Sequence, residues 1–223
     1  MAVQAEDALR FIGHFAASVA AKAAQPRLPF WACVGAAQLL DIGWGTLVIA
    51  GVEKLRLDPT LPGSPLDLYF MPYTHSLPAA LIWSLLAGLL AARVWGKSGW
   101  WIGAVVFSHW LADLLVHRPD LPLGLFGPKV GVGLWNLPVL EMIVELGLLG
   151  VAMCIWVAKR KQARLAVRPT IGWFFAMLLL ASINALPGEK LSPAGMGALA
   201  LFGFAVANAV ALLVDRADRR RLG

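Results

Sequence analysis

Six long apolar stretches limit what this chain can fold into more than any other feature of its sequence. Hydrophobic residues make up 59% of its 223 positions, against about 45–50% in a typical soluble domain. Each stretch is close to the roughly 20 residues that a helix needs to cross a bilayer. We therefore predict one all-α domain over residues 1–223, a polytopic membrane helix bundle with about six transmembrane helices. The predicted spans are residues 28–52, 75–95, 99–117, 138–158, 170–187 and 194–214.

A shorter apolar segment precedes the first span, at residues 8–24. Its continuous apolar part, Phe11–Ala21, is too short to cross a bilayer. Gln25-Pro26-Arg27 separates it from the first span. We expect a short N-terminal helix that lies at the membrane interface or re-enters the membrane, and a full span stays open as an alternative.

The basic residues are distributed unevenly between the two sides of the bundle. The N-terminal segment, the second and fourth connections and the C-terminal tail hold 14 of the 19 Lys and Arg residues. Because basic residues favour the cytoplasmic side, both termini are predicted to be cytoplasmic. The net charge of +6 then indicates contact with lipid headgroups, and no nucleic-acid partner is expected. The other three connections hold only Lys54, Arg56, Arg118, Lys129 and Lys190.

Seven ionisable residues interrupt or open these apolar spans. A charged side chain at the bilayer centre costs roughly 2.5–3.5 kcal/mol on insertion scales, so seven of them need a common purpose. Straight helices would place all seven in the outer half of the membrane, with His75 and His117 at the mouth and Asp41 deepest, at about 16 Å. They are Asp41, His75, His109, Asp113, His117, Glu141 and Glu145.

Their spacing suits a metal site. His109, Asp113 and His117 follow one another at i, i+4 and i+8, which places them along one helix stripe. One metal is hard to chelate from both i and i+8, so either one histidine is a second-shell residue or Asp113 bridges two metals. Histidine nitrogen with carboxylate oxygen suits zinc, with manganese and iron as alternatives.

Other polar residues are candidates for supporting roles. Asp41 or Glu145 could be the general base, and Glu141 could be a second-shell residue or simply favour a helix N-terminus. His14, on the short N-terminal helix, is either inert or a second-shell residue. Three more residues are candidate caps, or contacts to ligands or substrate: Thr74, Ser76 and Asn136.

Two motifs are recognisable together: Pro72-Tyr73-Thr74-His75-Ser76-Leu77 and Ser108-His109-Trp110-Leu111-Ala112-Asp113. They resemble a bacterial inner-membrane family of metal-dependent hydrolases, which pairs a Thr/Ser-His-Ser motif opening one membrane helix with His-x-x-x-Asp on the next. Over residues 10–150 the chain looks like an uncharacterised subgroup of that family. The resemblance implies an inner-membrane location and His75, His109 and Asp113 as metal ligands.

These observations together favour a metal-dependent hydrolase of a lipidic or amphiphilic substrate, with its site open to the periplasmic side. A proton- or ion-coupled transporter or channel is the first alternative. A non-catalytic metal- or haem-binding membrane protein is the second, and a haem would need His14 opposite His109. The last two spans are nearly free of polar residues, which indicates a scaffold or a homodimer interface.

Overall fold

The computed structural model describes residues 12–184 and 191–219, which form eight α-helices and two β-hairpins. The predicted residues 8–11 of the N-terminal helix, most of the connection at 187–193 and the last four residues of the basic tail lie outside this part of the chain. The helices are α1 (Phe15–Ala24), α2 (Phe30–Ala37), α3 (Leu39–Ile49), α4 (Leu77–Trp95), α5 (Trp100–Val116), α6 (Pro138–Gln162), α7 (Arg168–Asn184) and α8 (Pro193–Arg219). The strands are β1 (Lys54–Leu57), β2 (Leu66–Phe70), β3 (Leu121–Pro122) and β4 (Lys129–Val130).

The length and composition of the helices support a membrane protein. Among the described residues, three helical stretches are long and apolar enough to cross a membrane: Leu77–Val116, Pro138–Gln162 and Pro193–Asp218. The bent pair formed by α2 and α3 makes a fourth if it counts as one span, while α7 is apolar but shorter. The mostly helical fold agrees with the predicted class, and the number of six passes stays a prediction.

The 40-residue stretch Leu77–Val116 is a hairpin of α4 and α5. A Cβ atom added at Gly103 would lie 2.6 Å from the carbonyl oxygen of Ser84 and 3.1 Å from the Cα atom of Gly88. Small residues at a helix crossing allow such close backbone approach. The 3₁₀ turn between the helices begins at Gly96, whose φ of +59° is one that side chains disfavour.

The first predicted span is broken, where the sequence predicts one continuous helix. α2 and α3 meet at an angle of 53°, and Gln38 between them has φ −113° and ψ 9°, outside the α-helical range. The last carbonyl groups of a helix lack helical partners. The carbonyl oxygen of Ala37, the last residue of α2, is thus available to accept a hydrogen bond from another helix.

Helix α1 packs inside the bundle. Ile12, Phe15 and Val19 are fully buried, and α1 contacts α6, α2 and α5. A Cβ atom at Gly13 would stand 2.9 Å from Cγ of Glu145 on α6, so the chain passes directly against α6. α1 is thus enclosed by three other helices, and its position relative to the membrane stays a prediction.

Helix α8 is fixed against α2 by Asp215. Its two carboxylate oxygens accept hydrogen bonds from the backbone amides of Phe30, at 2.9 Å, and Trp31, at 3.0 Å. The residue before the helix is Pro29, whose side chain cannot cap, so Asp215 satisfies N–H groups that would otherwise lack partners. The Nζ atom of Lys22 lies 3.6 Å from the same carboxylate. This contact orients the whole of α8 along α2 and α3.

The two hairpins lie in the first two predicted external connections, and Arg118 ties them together. Its guanidinium donates to the carbonyl groups of Pro62, Ser64 and Leu66 in the β1–β2 hairpin. Its Nε also donates to Oδ1 of Asn136, at 3.0 Å. The prediction of Asn136 as the cap of the fourth span is wrong, because this side chain is bonded to Arg118 and α6 begins at Pro138 with no side-chain cap.

Candidate metal centre

His75 is held by three hydrogen bonds in the turn that precedes α4. Its backbone N–H donates to Met71 at 3.2 Å, and its carbonyl oxygen accepts from the indole Nε1 of Trp110 at 2.9 Å. Its Nδ1 atom lies 2.7 Å from the hydroxyl of Thr74, which donates to Oε2 of Glu53 at 2.6 Å. Because that hydroxyl proton is directed to Glu53, the hydroxyl oxygen accepts from Nδ1–H of His75. In the neutral form of His75, the Nε2 atom therefore presents a lone pair.

His109 is oriented in the same way by the break between α2 and α3. Its Nδ1 atom lies 2.7 Å from the carbonyl oxygen of Ala37, which can only accept, so the proton is on Nδ1. Such hydrogen bonds from the second ring nitrogen are the usual support of metal-binding histidines. The Nε2 atom of His109 is buried and has no hydrogen-bond partner among the described residues.

The two Nε2 atoms face two carboxylate oxygens. The Nε2 atom of His75 lies 3.3 Å from Oδ1 of Asp41 and 3.5 Å from Oδ2 of Asp113. The Nε2 atom of His109 lies 3.5 Å from Oδ1 of Asp41 and 3.3 Å from Oδ2 of Asp113. We call these four atoms the four-ligand site.

The histidine–carboxylate distances are those expected between two ligands of one metal ion. Ligands about 2.0–2.1 Å from a zinc ion stand about 3.3–3.4 Å apart along the edges of a tetrahedron. The four histidine–carboxylate distances, 3.3 to 3.5 Å, are close to that value. Oδ2 of Asp113 and Nε2 of His109 are both buried, and neither has a hydrogen-bond partner among the described residues. Two overlapping groups among the described residues could hold a metal ion: His14 with His109 and Asp113, and Asp41 with His75 and His109.

The other oxygen of Asp113 faces a second pair of histidines. Oδ1 lies 2.9 Å from Nε2 of His14 and 3.4 Å from Nε2 of His117. The Nδ1 atom of His117 lies 2.9 Å from Oδ1 of Asp120, and its ring packs on Trp135 at 4.1 Å between centroids. We call Asp113 Oδ1 and the two Nε2 atoms the three-ligand site.

A cavity of about 310 Å³ opens next to both sites. His14, Asp41, His75, Asp113 and His117 form its polar end. The rest of its wall is mostly apolar, and much of it comes from α8 and the β1–β2 connection. These wall residues are Trp44, Ser64, Pro65, Leu66, Leu68, Met71, Trp135, Met196, Leu199, Ala200, Gly203 and Phe204.

The predicted depth order is corrected by these contacts. The sequence predicts His75 at the mouth of the site and Asp41 about 16 Å below it. In the structure, Nε2 of His75 lies 3.3 Å from Oδ1 of Asp41. The prediction assumed straight helices. The bend at Gln38 shifts Asp41 sideways, and the turn carrying His75 lies buried inside the bundle rather than at its surface.

Of the predicted supporting residues, only some reach the centre. His14 lies within it, whereas Glu141 and Glu145 are buried on α6 but do not line the cavity. Oε2 of Glu145 accepts instead from the backbone amide of Gly13, at 3.4 Å. Ser76 caps α4 as predicted, accepting from the amide of Ala79 at 3.3 Å.

Sequence reasoning missed several residues of the site. Glu53 stands among loop residues and carries no spacing signal, although its place directly after an apolar span could have drawn attention. Asp120 follows His117 by three residues, a spacing at which the two side chains can meet, and that signal was available. The residues that α8 contributes to the cavity wall are apolar, so nothing in the sequence distinguishes them from lipid-facing residues. The sequence predicts α8 only as a scaffold or a homodimer interface.

Comparison with known proteins gave no match. No protein-family model matches this chain, and neither does any curated protein or any solved structure. The resemblance noted from the two motifs therefore stays a prediction, and the functional argument depends on the geometry of the centre.

Proposed function

We propose that this chain is a metal-dependent membrane hydrolase that acts on a lipidic or amphiphilic substrate. One observation carries the proposal: the Nε2 atoms of two histidines face two carboxylate oxygens at 3.3 to 3.5 Å in a largely buried site. With both histidines neutral and protonated on Nδ1, no group of the four-ligand site offsets the charge of Asp41 and Asp113; without a metal, protons on the Nε2 atoms would have to do so. Unpaired buried charge is costly, and a divalent cation would offset both carboxylates.

Zinc fits this ligand set best. Two imidazole nitrogens and two carboxylate oxygens are ligands that suit zinc, while manganese and iron accept the same ligand types. A bound divalent ion supplies Lewis acidity and lowers the pKa of a coordinated water. In this reading Asp41 is a ligand, not the general base first expected, and Glu145 positions the chain that carries His14.

The cavity supports an amphiphilic substrate. Its volume of about 310 Å³ lies at the lower end of the usual range for small-molecule sites, roughly 300–1,000 Å³. The charged groups are confined to one end, and Leu, Met, Phe and Trp side chains line the remainder. A substrate with its polar head at the metal and its acyl chain along α8 would match both the charged end and the apolar wall of the cavity.

The same proposal includes the topology. α2 with α3, and then α4, α5, α6, α7 and α8, would make six passes with cytoplasmic termini in a bacterial inner membrane. The basic asymmetry of the connections supports this arrangement. Apolar side chains exposed along the helices, such as Ile82, Leu90, Ile143 and Phe175, would face lipid, although α7 and α8 could also meet a second copy of the chain.

Elemental analysis of the detergent-purified protein tests the metal. We expect about one or more equivalents of zinc per wild-type chain and a large loss in His109→Ala. Ser84→Ala is a matched control, because Ser84 is buried and its hydroxyl donates to the carbonyl oxygen of Ala80 within α4. Hydrolysis of a panel of acyl esters and phosphodiesters of increasing chain length should require the metal and be lost with a chelator.

The alternatives give different results in the same experiment. A stable wild-type protein without metal, whose stability does not change with added zinc, would favour a proton relay through the histidines and carboxylates. A haem between His14 and His109 is disfavoured by geometry, since their ring centroids are only 4.4 Å apart. That spacing leaves no room for an iron porphyrin between the rings.

A further inference from the structure

The carboxylate of Asp113 divides the four histidines into two pairs. Oδ2 faces His75 and His109, and Oδ1 faces His14 and His117. A carboxylate with a pair of imidazole nitrogens at each oxygen has the arrangement of a bridging ligand between two metals. A single metal at the four-ligand site would leave the second pair of histidines without a function.

His117 is prepared as a ligand in the same way as His75. Its Nδ1 atom is bonded to a carboxylate, that of Asp120, at 2.9 Å. When His117 is neutral with its proton held there, Nε2 presents a lone pair toward Asp113. A carboxylate–histidine pair of this kind fixes the tautomer and raises the basicity of the ligand.

His14 is buried and also directed at Asp113. Its side chain is 6% exposed, and its Nδ1 atom has no hydrogen-bond partner among the residues that the structure describes. No acceptor therefore fixes the tautomer of His14. Its Nε2 atom is free to present a lone pair when a cation is bound, or to donate to Asp113 at 2.9 Å when none is.

The coordination numbers of the two sites differ. The four-ligand site offers four protein ligands, and zinc sites with four protein ligands are usually structural. The three-ligand site has only His14, His117 and Asp113, and all three line the cavity. Catalytic zinc sites typically have three protein ligands and one open position. Of the four-ligand site, Asp41 and His75 also line the cavity, whereas His109 does not.

We propose that the centre is dinuclear, with Asp113 bridging two divalent cations, and that the second cation lies at the three-ligand site with one position open to the cavity. The polar head of the substrate would bind at that position, and the four-ligand site would hold the bridging carboxylate in place. Paired metals in hydrolytic enzymes lie about 3.5–4 Å apart, a separation that one bridging carboxylate can span. This inference rests on the proposed metal centre and adds the second site.

Metal stoichiometry tests the inference independently of any substrate. The full-length protein is purified in detergent, stripped with a chelator, reloaded with zinc and freed of excess metal. We expect two zinc ions per wild-type chain and per Ser84→Ala chain, and one in His117→Ala and His14→Ala. With manganese instead of zinc, the electron paramagnetic resonance spectrum of the wild type should show exchange coupling between two ions, and His117→Ala should show an isolated ion.

The possible outcomes separate this inference from the metal proposal itself. One zinc per wild-type chain, unchanged in His117→Ala and lost in His109→Ala, would overturn the second site and leave the first. No zinc in the wild type would overturn both. If His117→Ala does not fold, His117→Gln replaces it, because its side-chain volume is closer to that of histidine. The wild-type zinc stoichiometry and manganese spectrum also decide between one and two metal ions without any variant.

Discussion

Glu53 and His75 are joined through the single hydroxyl group of Thr74. Oε2 of Glu53 accepts from that hydroxyl at 2.6 Å, and the hydroxyl oxygen lies 2.7 Å from Nδ1 of His75. Oε1 of Glu53 accepts in addition from the backbone amides of Tyr73, at 2.8 Å, and Thr74, at 3.0 Å. One buried carboxylate therefore shapes the turn and sets the tautomer of the histidine within it.

Removing this hydroxyl should weaken metal binding without removing a ligand. Thr74→Val keeps the side-chain shape but leaves Nδ1–H of His75 without its acceptor. Loss of such a supporting contact typically costs 10–100-fold in metal affinity, and we expect a loss in that range. Thr74→Ser retains the hydroxyl and is the matched control, with affinity close to wild type. Competition titration with a zinc-sensitive dye measures both, and equal affinities for the two variants would contradict the relay.

Much of the helical framework is readable from the sequence. α4, α5, α6 and α8 all lie at predicted spans, because an apolar run near 20 residues has few other stable forms. The grouping of His109, Asp113 and His117 also follows from their spacing on one helix. These features are local, so periodicity and length suffice to predict them.

The features that the sequence could not supply depend on contacts between distant segments. No proline marks the break at Gln38, so the approach of Asp41 to His75 was not predictable from the first span. The position of His14 depends on the fit of Gly13 against Glu145, which has no signature in either segment. In the sequence Glu53 resembles an ordinary solvated loop residue, because the groups that donate to it, on Tyr73 and Thr74, lie about 20 residues further along the chain.

The zinc affinity should fall as the pH is lowered. Metal binding needs neutral histidines, so protons compete with the metal for the ligand nitrogens as the pH falls. We expect the highest affinity at pH 8.5 and a progressive loss at pH 7.5, 6.5 and 5.5. Equilibrium dialysis at these pH values, with the fold checked by circular dichroism, measures this. Affinity that stays constant down to pH 5 would argue against histidine ligands.

The predicted topology can be tested by cysteine labelling. Cys33 and Cys154 are first replaced by Ala, and single cysteines are introduced at Phe126, an 83% exposed residue between β3 and β4, and at the exposed Gln162. A membrane-impermeant maleimide added to intact cells should label Phe126→Cys and not Gln162→Cys. Labelling of position 162 from outside would refute cytoplasmic termini. Labelling of both positions after permeabilisation shows that each thiol is reactive.

The contact between Gly13 and Glu145 predicts a specific packing defect. In Gly13→Ala the new methyl group would meet Cγ of Glu145 at 2.9 Å and its Cβ at 3.1 Å, so α1 must move away from α6. Overpacking of this kind costs about 1–3 kcal/mol, and the shift would carry His14 away from Asp113. We expect a lower Tm in detergent. If the wild type binds a second metal ion, we expect the variant to lose that ion selectively.

Gly147→Ala on α6 is the matched control, because no atom lies within 4 Å of the added Cβ and alanine favours a helix over glycine by about 0.5–1 kcal/mol. A Gly13→Ala protein as stable as Gly147→Ala, with unchanged metal content, would show that α1 is not held tightly against α6.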